Sequence, residues 1–310
     1  MKNRTFSSRL FTVIETIEND HWRLSLHPQL GASPTALQAK IGGVWQDILR
    51  PTTDFAVSNS SKFSSYTLAP WSNRIPNGQF SFANAQHQLK INSPKEQTAR
   101  HGDVQDRVWQ VFNHGSSLEC HFDSGLYPDI NFPFPFSMTM THTLKGSIYR
   151  TRIRLENTGA TAMPAGFGIH PYFLRRMAAP SLQFQADAIY LTDSSNVPTK
   201  GATSIPQRFD FSTPKPLDDL GVDHVYQGWD GKAVLTWQDA VLYLEASEVF
   251  SHFVVFTGAP DQSIALEPIT HATNAFNLAV AGVQNTGHQI LEPNQVLSGE
   301  ICFRLEQTPE

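Results

Sequence analysis

One carboxylate in the C-terminal third of the chain is placed as an acid–base group would be. The apolar run Ile264–Leu266 leads directly into Glu267, and Pro268 follows at once. Proline cannot donate a hydrogen bond to a β-ladder, so we expect the strand to stop there with the carboxyl group at its mouth. A carboxyl group among apolar neighbours has a raised pKa, which suits it to proton transfer. A glutamate that only begins a loop would show the same local pattern.

Histidines in two small-residue settings could supply the partner acid. His170 follows a Gly-Phe-Gly stretch, and glycine lets a ligand approach the backbone closely. His101 lies beside Gly102 and could donate to a substrate oxygen. Either could equally be an ordinary structural histidine. A metal held by His101, His170 and His271 also stays open, although nothing in their spacing requires one.

Two further stretches carry polar groups beside aromatic residues. Asn73 and Arg74 place amide and guanidinium donors close to Trp71, and Asp223 stands ahead of an apolar and aromatic run. The amide and guanidinium donors of Asn73 and Arg74 would suit sugar hydroxyls. A surface loop with a solvated arginine is the simpler interpretation, because exposed arginines are common.

Several other chemistries lack their motifs. The chain has no His-Glu-x-x-His, and its two cysteines, Cys120 and Cys302, make neither a zinc motif nor a disulfide framework. It has no Gly-x-Ser-x-Gly elbow and no phosphate-binding P-loop, and Gly166-Phe-Gly168 lacks the third glycine of a dinucleotide fingerprint. A glycosidase would need a second carboxylate opposed to Glu267, and none is unambiguous.

The elements that must position these groups are β-strands. Phe136 to Leu144 and Tyr149 to Leu155 alternate apolar and polar residues, and the Lys-Gly-Ser between them suits a hairpin connection. Similar alternation begins at Trp22, while no stretch keeps a helical period for three turns. Many short strands without crossover helices favour antiparallel sheets packed together. We therefore predict an all-β fold, a large antiparallel β-sandwich in which residues 1–310 form one domain.

The polar segment Pro198 to Asp219 interrupts this alternation. It contains Pro206, Pro214 and Pro216, none of which can donate to a sheet. We expect the segment to run over the surface as a long excursion.

The charge and hydropathy patterns limit the partners. The formal charge of −5 is mild and no run of lysine or arginine occurs, which argues against nucleic-acid or anionic-membrane partners. No apolar run reaches membrane-spanning length, and the stretch Met1 to Phe6 begins basic but lacks the apolar core of a signal peptide. We expect a cytoplasmic protein that binds a small molecule, as a monomer or homodimer.

Taken in order, these stretches resemble the aldose 1-epimerase (galactose mutarotase-like) family. The resemblance runs from about Trp22 to Leu305 as scattered motifs, and their order and spacing carry it, since no single motif is specific. The motifs are Asn73-Arg74-Ile75 with Gly78 and Phe80, His101-Gly102, Gly168-Ile169-His170-Pro171-Tyr172-Phe173, Asp223-His224, and Leu266-Glu267-Pro268 followed by Asn274 and Asn277.

The resemblance implies an aldose 1-epimerase that interconverts α and β anomers of a free aldose on the concave face of the sandwich, with no cofactor and no metal. By motif match, Glu267 is the general base and His170 the general acid, while His101 lies at the ring oxygen or a neighbouring hydroxyl. Near neutral pH we expect Glu267 to be ionised and His170 to be protonated. The residues implied to bind the sugar hydroxyls are Arg74, Asp223 and Asn73.

Two alternatives keep the same fold. The first is a hexose-6-phosphate 1-epimerase, in which Arg74, Arg100 and Arg107 could contribute to binding the phosphate, although the sequence shows no basic cluster. The second is a non-catalytic sugar-binding module. Departures from the family's usual residues leave the substrate open, and these are Asp103, Pro171, Leu174 and Ile269.

Overall fold

The computed structural model describes residues 14–55, 59–176, 179–192, 196–218, 221–261 and 263–308. Helical segments are short in this part of the chain: 3₁₀ turns at Ser60–Lys62, Ser124–Leu126 and Gln207–Phe209, and the α-helix α1 at Ala275–Val280. The strands, in chain order, are β1 (Glu15–Glu18), β2 (Trp22–His27), β3 (Ser33–Ile41), β4 (Val44–Asp47), β5 (Thr67–Leu68), β6 (Arg74–Pro76), β7 (Gln79–Phe82), β8 (Ala85–Gln88), β9 (Thr98–Arg100), β10 (Gln110–Asn113), β11 (Ser117–Asp123), β12 (Phe136–Lys145), β13 (Ile148–Asn157), β14 (Met163–Ala165), β15 (Gly168–Ile169), β16 (Tyr172–Phe173), β17 (Ser181–Phe184), β18 (Ala188–Tyr190), β19 (Lys215–Pro216), β20 (Asp223–Gln227), β21 (Lys232–Thr236), β22 (Ala240–Ala246), β23 (His252–Phe256), β24 (Ile264–Ile269), β25 (Gln289–Leu291) and β26 (Val296–Gln307).

The larger sheet follows the order β10-β11-β12-β13-β26-β22-β21-β17-β19. Its central hairpin is the predicted one, with β12 and β13 antiparallel and Lys145 opposite Ile148. Along β12 the odd side chains from Ser137 to Thr143 are half-buried and the even ones from Phe136 to Leu144 are buried, because successive side chains point to opposite faces. This sheet therefore turns one apolar face toward the interior.

The smaller sheet follows the order β18-β20-β23-β24-β15-β5, and β16 also pairs with β24. Every residue of β24 is buried, so this strand has protein on both faces. Ile264 and Leu266 join the main core on one face, while Ala265 and Ile269 belong to a second apolar cluster on the other. Glu267 shares the face of Ala265 and Ile269, since side chains alternate along a strand.

The two sheets pack face to face through aromatic side chains. The ring centroids of Phe184 on β17 and Phe253 on β23 are 5.1 Å apart, and those of Phe303 on β26 and Phe173 on β16 are 5.6 Å apart. Both pairs bridge from the larger sheet to the smaller one, and all four residues are buried. The architecture is a large antiparallel β-sandwich, which confirms the predicted fold class.

The segment Pro198 to Asp219 is a surface excursion only in part. Phe211 and Leu217 are buried in the main core, and Lys215–Pro216 forms β19 at one end of the larger sheet. Pro216 is compatible with that position because an edge strand has one side that needs no donor. The segment was predicted to lie on the surface from its polar composition, but two apolar residues anchor it in the core. Its last residue, Asp219, lies outside the described residues.

The prediction of a cytoplasmic location rested partly on Met1 to Phe6, which lie outside the described residues. Among the residues that the structure describes, no helix is long and apolar enough to cross a membrane. The α-helix α1 has only six residues, whereas a spanning helix needs about 20.

Candidate active site

One cavity of ≈ 200 Å³ brings all the predicted site residues together. A water molecule occupies about 30 Å³ in the liquid, so the cavity admits a ligand of monosaccharide size. The residues come from five separate places in the chain: Asn73 and Arg74 at the start of β6, His101 after β9, His170 between β15 and β16, Asp223 at the start of β20, and Glu267 in β24.

Strand register places the two carboxylates on one face of the smaller sheet. Glu267 lies opposite Val254, and Val254 lies opposite Val225. Asp223 is two residues from Val225 on the same strand, so its side chain points to the same face. Both carboxyl groups therefore enter the cavity from the smaller sheet, whereas the basic and amide groups come from other segments, among them β6, β9 and the loops beside them.

Glu267 and His170 form a buried pair. Glu267 Oε1 lies 3.1 Å from His170 Nε2, and the two residues are 3% and 6% exposed. The contact arises because the β15 and β16 edge of the sheet is interrupted at His170, beside the middle of β24. The proposed base and acid are thus in direct contact, with no space for a sugar between them, and a sugar would have to face both from the cavity.

The strand that carries Glu267 does not stop at Pro268, contrary to the sequence prediction. It continues to Ile269, and Pro268 pairs with Phe253. The N–H groups of Leu266 and Thr270 both donate toward the β15 and β16 side of β24. Because backbone groups alternate along a strand, the nitrogen of Pro268 faces the same side. The β15 and β16 edge is interrupted there at His170, so Pro268 does not have to donate a hydrogen bond.

Burial favours the uncharged forms of both members of the pair. It raises the pKa of Glu267 well above its usual value, and the nearby Asp223 carboxyl raises it further. Burial likewise lowers the pKa of His170 well below its usual value, and the guanidinium groups of Arg100 and Arg50 add to this. Burial of the pair therefore favours a carboxylic acid beside a neutral imidazole, rather than the expected carboxylate and imidazolium. Both states hold one proton on the pair.

His101 is held in one tautomer by the backbone of Asn73. Asn73 N donates to His101 Nδ1 at 3.2 Å, and His101 N donates to the Asn73 carbonyl at 2.9 Å. Burial lowers the pKa of His101 well below its usual value, so the imidazole is neutral near pH 7. Since Nδ1 accepts, Nε2 carries the proton. His101 can therefore act as a fixed hydrogen-bond donor in the cavity.

Arg74 is braced on several sides. Its Nη1 donates to Asn73 Oδ1 at 3.0 Å, its Nη2 donates to Glu96 Oε1 at 3.0 Å, and Asp223 Oδ2 lies 4.0 Å from Nη2. The backbone N–H of Asn274 donates to the Arg74 carbonyl at 3.0 Å. The guanidinium group is thereby fixed at the cavity wall, beside an Asp223 carboxyl whose pKa burial raises.

Two tyrosine rings pack against His170, and the sequence motifs included only one of them. The ring centroid of Tyr66 lies 4.7 Å from that of His170, and the centroid of Tyr172 lies 4.5 Å from it. The Arg50 guanidinium lies 3.5 Å above the Tyr172 ring. Tyr172 belongs to a motif that the sequence did show, but Tyr66 and Arg50 lie in stretches with no motif, so only the structure brings them to the site.

Other residues considered from the sequence lie outside the cavity lining. Arg107 pairs with Asp103 at 3.0 Å and with Asp129 at 2.7 Å, so both the possible phosphate ligand and the departure at Asp103 serve a structural ion pair. His271 accepts from Ser72 N at 3.1 Å and is a core histidine. The remaining residues named in the motifs and departures that are buried in the core are Trp71, Phe173 and Ile269.

A sequence profile of the aldose 1-epimerase family matches residues 15–304, nearly the whole chain. The chain belongs to the aldose 1-epimerase family. The match spans every strand that lines the cavity, and the resemblance seen in the scattered motifs is confirmed. The match establishes the family and its fold. It does not establish which reaction this protein catalyses.

Relatives of this family member support the fold. The chain is 24% identical to the Escherichia coli K12 protein "Uncharacterized protein YphB" over 278 residues, which are 86% of this chain and 92% of that one. A solved structure from Escherichia coli K12 superimposes with a TM-score of 0.82 at 21% identity, over 96% of this chain and 99% of the other. The structure of a galactose mutarotase-like protein from Clostridium acetobutylicum superimposes with a TM-score of 0.80 at 18% identity, over 96% of this chain and 99% of the other.

Proposed function

We propose that this protein is an aldose 1-epimerase that interconverts the α and β anomers of an aldose. The observation that carries the proposal is the buried contact of 3.1 Å between Glu267 and His170 within a cavity of monosaccharide size. A carboxyl group and an imidazole that together hold one proton can act as base and acid on the same substrate. This chemistry requires neither a nucleophile nor a phosphate donor.

Ring opening moves two protons and breaks one bond. Glu267, as carboxylate, takes the proton of the anomeric hydroxyl, while His170, as imidazolium, gives its proton to the ring oxygen. The C1–O5 bond breaks with its electron pair going to O5, and C1=O forms. The aldehyde then rotates about C1–C2 and recloses as both protons return, so the enzyme is unchanged after each turnover.

The pair must become charged before it reacts. Because burial favours the uncharged forms of both groups, one proton has to pass from Glu267 to His170. The contact between Oε1 and Nε2 is short enough for a direct transfer. Sugar hydroxyls that hydrogen-bond to the carboxylate would favour the charged tautomer, since hydrogen bonds to an ionised group are stronger than those to a neutral one.

The neighbouring residues orient the sugar. We assign His101 Nε2–H to the ring oxygen or an adjacent hydroxyl, with Arg74 and Asp223 binding other hydroxyls and Asn73 acting mainly through Arg74 and His101. Each positioned acid or base typically contributes about 10²–10⁴-fold to the rate. Correct orientation of the ring then adds to this by holding the reacting atoms in place.

The experiment is a mutarotation assay across a panel of aldoses. Freshly dissolved α-anomers are mixed with the protein and the approach to anomeric equilibrium is followed by polarimetry, with the uncatalysed rate subtracted. At least one aldose should equilibrate faster. Sugar binding by calorimetry with no acceleration for any aldose would instead support the non-catalytic sugar-binding module.

Three other expectations from the sequence stay predictions. They are a cytoplasmic location, a single domain over residues 1–310, and a monomeric or homodimeric state.

A further inference from the structure

The cavity holds more cationic than anionic side chains. Its two carboxyl groups belong to Asp223 and Glu267, and burial raises the pKa of both. Its cationic groups are Arg50, Lys62, Arg74 and Arg100. The sequence shows no basic cluster because these residues come from four separate segments of the chain.

Two of the four cations are neutralised within the protein. Arg74 binds Glu96 at 3.0 Å and lies 4.0 Å from Asp223. Arg50 Nη1 donates to Asp261 at 2.8 Å, and its Nε and Nη2 donate to the Phe63 carbonyl at 3.1 and 3.0 Å. Nearly all the donors of Arg50 are therefore used, and its charge is matched.

The other two cations lack such partners. Among the residues that the structure describes, the Lys62 ammonium has no ion pair and no hydrogen bond. Arg100 has only Glu96 Oε2 at 3.6 Å, and that oxygen already accepts from Ser93 Oγ at 2.8 Å. Lys62 is exposed at the rim of the cavity and the Arg100 side chain is 37% exposed, so a charged group on a ligand in the cavity can reach both.

The segment that carries Lys62 is rigidly held. The N–H and hydroxyl groups of Ser60 donate to Asp106 at 2.8 and 2.9 Å. The carbonyls of Ser61 and Phe63, on either side of Lys62, both accept from the Arg50 guanidinium. The protein thus fixes the backbone of an ammonium group that has no partner of its own, as a site for a charged ligand requires.

We propose that the aldose carries an anionic group on a carbon remote from C1, and that Lys62 and Arg100 bind this group. The inference rests on the proposed function, because Glu267, His170 and His101 are taken to hold the C1–O5 end of the sugar. A phosphate or a carboxylate would supply the charge that the cavity lacks, and each offers several acceptor oxygens to ammonium and guanidinium donors. The substrate class is an anionic aldose.

The test compares kcat/KM for glucose, glucose 6-phosphate and glucuronate with the wild-type protein. We expect at least one charged aldose to exceed glucose by roughly tenfold or more, the range of a charge-assisted hydrogen bond. A preference for glucose 6-phosphate identifies a phosphate, and a preference for glucuronate identifies a carboxylate. Raising the salt concentration should reduce the preference, because exposed charge pairs are screened.

The variants Lys62→Gln and Arg100→Gln assign the preference to residues. Each should lower kcat/KM for the charged aldose at least fivefold more than for glucose, chiefly through KM. Lys145→Gln, at an exposed hairpin end away from the cavity, is the matched control and should change neither value.

Two results overturn the inference while leaving the proposed function intact. One is faster equilibration of glucose with no gain from a charged group. The other is a charged-aldose preference that survives both Lys62→Gln and Arg100→Gln. Failure of the proposed function looks different, since no aldose, charged or neutral, would then equilibrate faster than with Glu267→Gln.

Discussion

At the scale of single residues, the pair Glu267 and His170 is unfavourable for stability and therefore suggests a function. Glu267 Oε2 and His170 Nδ1 are both buried without a hydrogen-bond partner in the part of the chain that the structure describes. Leaving a buried polar atom unsatisfied typically costs about 1–3 kcal/mol. A pair kept only for stability would avoid such a cost, so the two unsatisfied atoms are typical of a site kept for function. The arrangement is better suited to binding a polar ligand than to stabilising an empty protein.

The pH dependence of kcat/KM follows from the proton count of this pair. Activity requires one proton on the pair, so it falls when a second proton binds and when the last one leaves. Because the pKa of His170 is lowered from 6.5, we expect the acid limb below pH 6.5. Because the pKa of Glu267 is raised from 4.5, the alkaline limb moves upward and a plateau opens between the two limbs. An acid limb at or above pH 6.5 would contradict this assignment.

Replacing His170 removes the proposed acid. We expect His170→Ala to lower the mutarotation rate by several orders of magnitude, because the ring oxygen then leaves without a proton donor. His121→Ala is the control, since His121 lies on the larger sheet outside the cavity and is partly exposed. Polarimetry on both variants, with folding checked by circular dichroism, gives the result. A loss of less than tenfold in His170→Ala would remove it from the acid role.

A residue of the site could be predicted from the sequence only if it lay in a recognisable motif. Glu267 and His101 lie in short stretches with an unusual composition, and the structure brings both to the cavity. Lys62 and Tyr66 lie in an unremarkable polar stretch, and nothing in their neighbours indicates a ligand. Their roles depend on which distant segments the sheets bring together, which a local pattern does not contain.

At the scale of elements, the loop after β9 depends on Gly102. Gly102 has a φ of +76°, and a Cβ there would lie 1.8 Å from the Ala69 carbonyl oxygen. The backbone of the preceding residue, His101, also has a positive φ of 63°. Close approach of two backbone segments therefore fixes the position of the His101 imidazole, and only glycine permits it.

We expect Gly102→Ala to be destabilised by about 1–3 kcal/mol more than Gly146→Ala, the range for overpacking, and to lose mutarotase activity as His101 shifts. Gly146 is the matched control because its φ of +55° is also positive, yet a Cβ there meets nothing within 4 Å. Urea unfolding measures the stability difference and polarimetry measures the activity. Equal stability of the two variants would contradict the proposed steric contact.

The end of β24 shows where element prediction fails. Pro268 predicted a strand end, but the strand runs on to Ile269. The outcome depends on the strands β15 and β16 beside β24. They are interrupted at His170, so the sheet needs no hydrogen bond from the nitrogen of Pro268. Proline's effect on a strand is set by the partner strand, and the position of that partner is a tertiary property.

At the scale of the whole molecule, the core contains several neutral histidines. Burial lowers the pKa of His142 and His252 to about 4 and that of His271 to about 3. In the unfolded chain these groups bind protons near pH 6.5, before the folded protein does. The free energy of unfolding therefore falls as the pH falls from about 6.5 to 4. Glu267 and Asp223 oppose this trend over part of the range, since their pKa values are raised.

Each net proton changes the free energy of unfolding by about 1.4 kcal/mol per pH unit. We expect His252→Gln to reduce the slope by about that amount, because it removes one of the titrating groups. Urea unfolding of both proteins at several pH values from 4.5 to 7 gives the slopes. A wild-type stability that is flat across this range would contradict the burial of neutral histidines.

The sandwich itself could be predicted from period-two alternation, most clearly in β12 and β13. Phe211 and Leu217 could not be placed, because apolar residues are few in this polar segment and Phe209 and Phe211 alone are too short a period to predict a strand. Strand pairing was equally beyond the sequence: β26, from the end of the chain, lies between β13 and β22. Such long-range pairings are set by packing of the whole core.

The most direct measurement is the rate of anomer interconversion by Glu267→Gln. Gln keeps the size of the side chain but cannot accept the anomeric proton, and it removes a buried group whose ionisation is unfavourable. We predict that the variant is folded, at least as stable as the wild type at pH 7, and without mutarotation above the uncatalysed rate for any aldose that the wild type converts. Wild-type rates in this variant would contradict the assignment of Glu267 as the base.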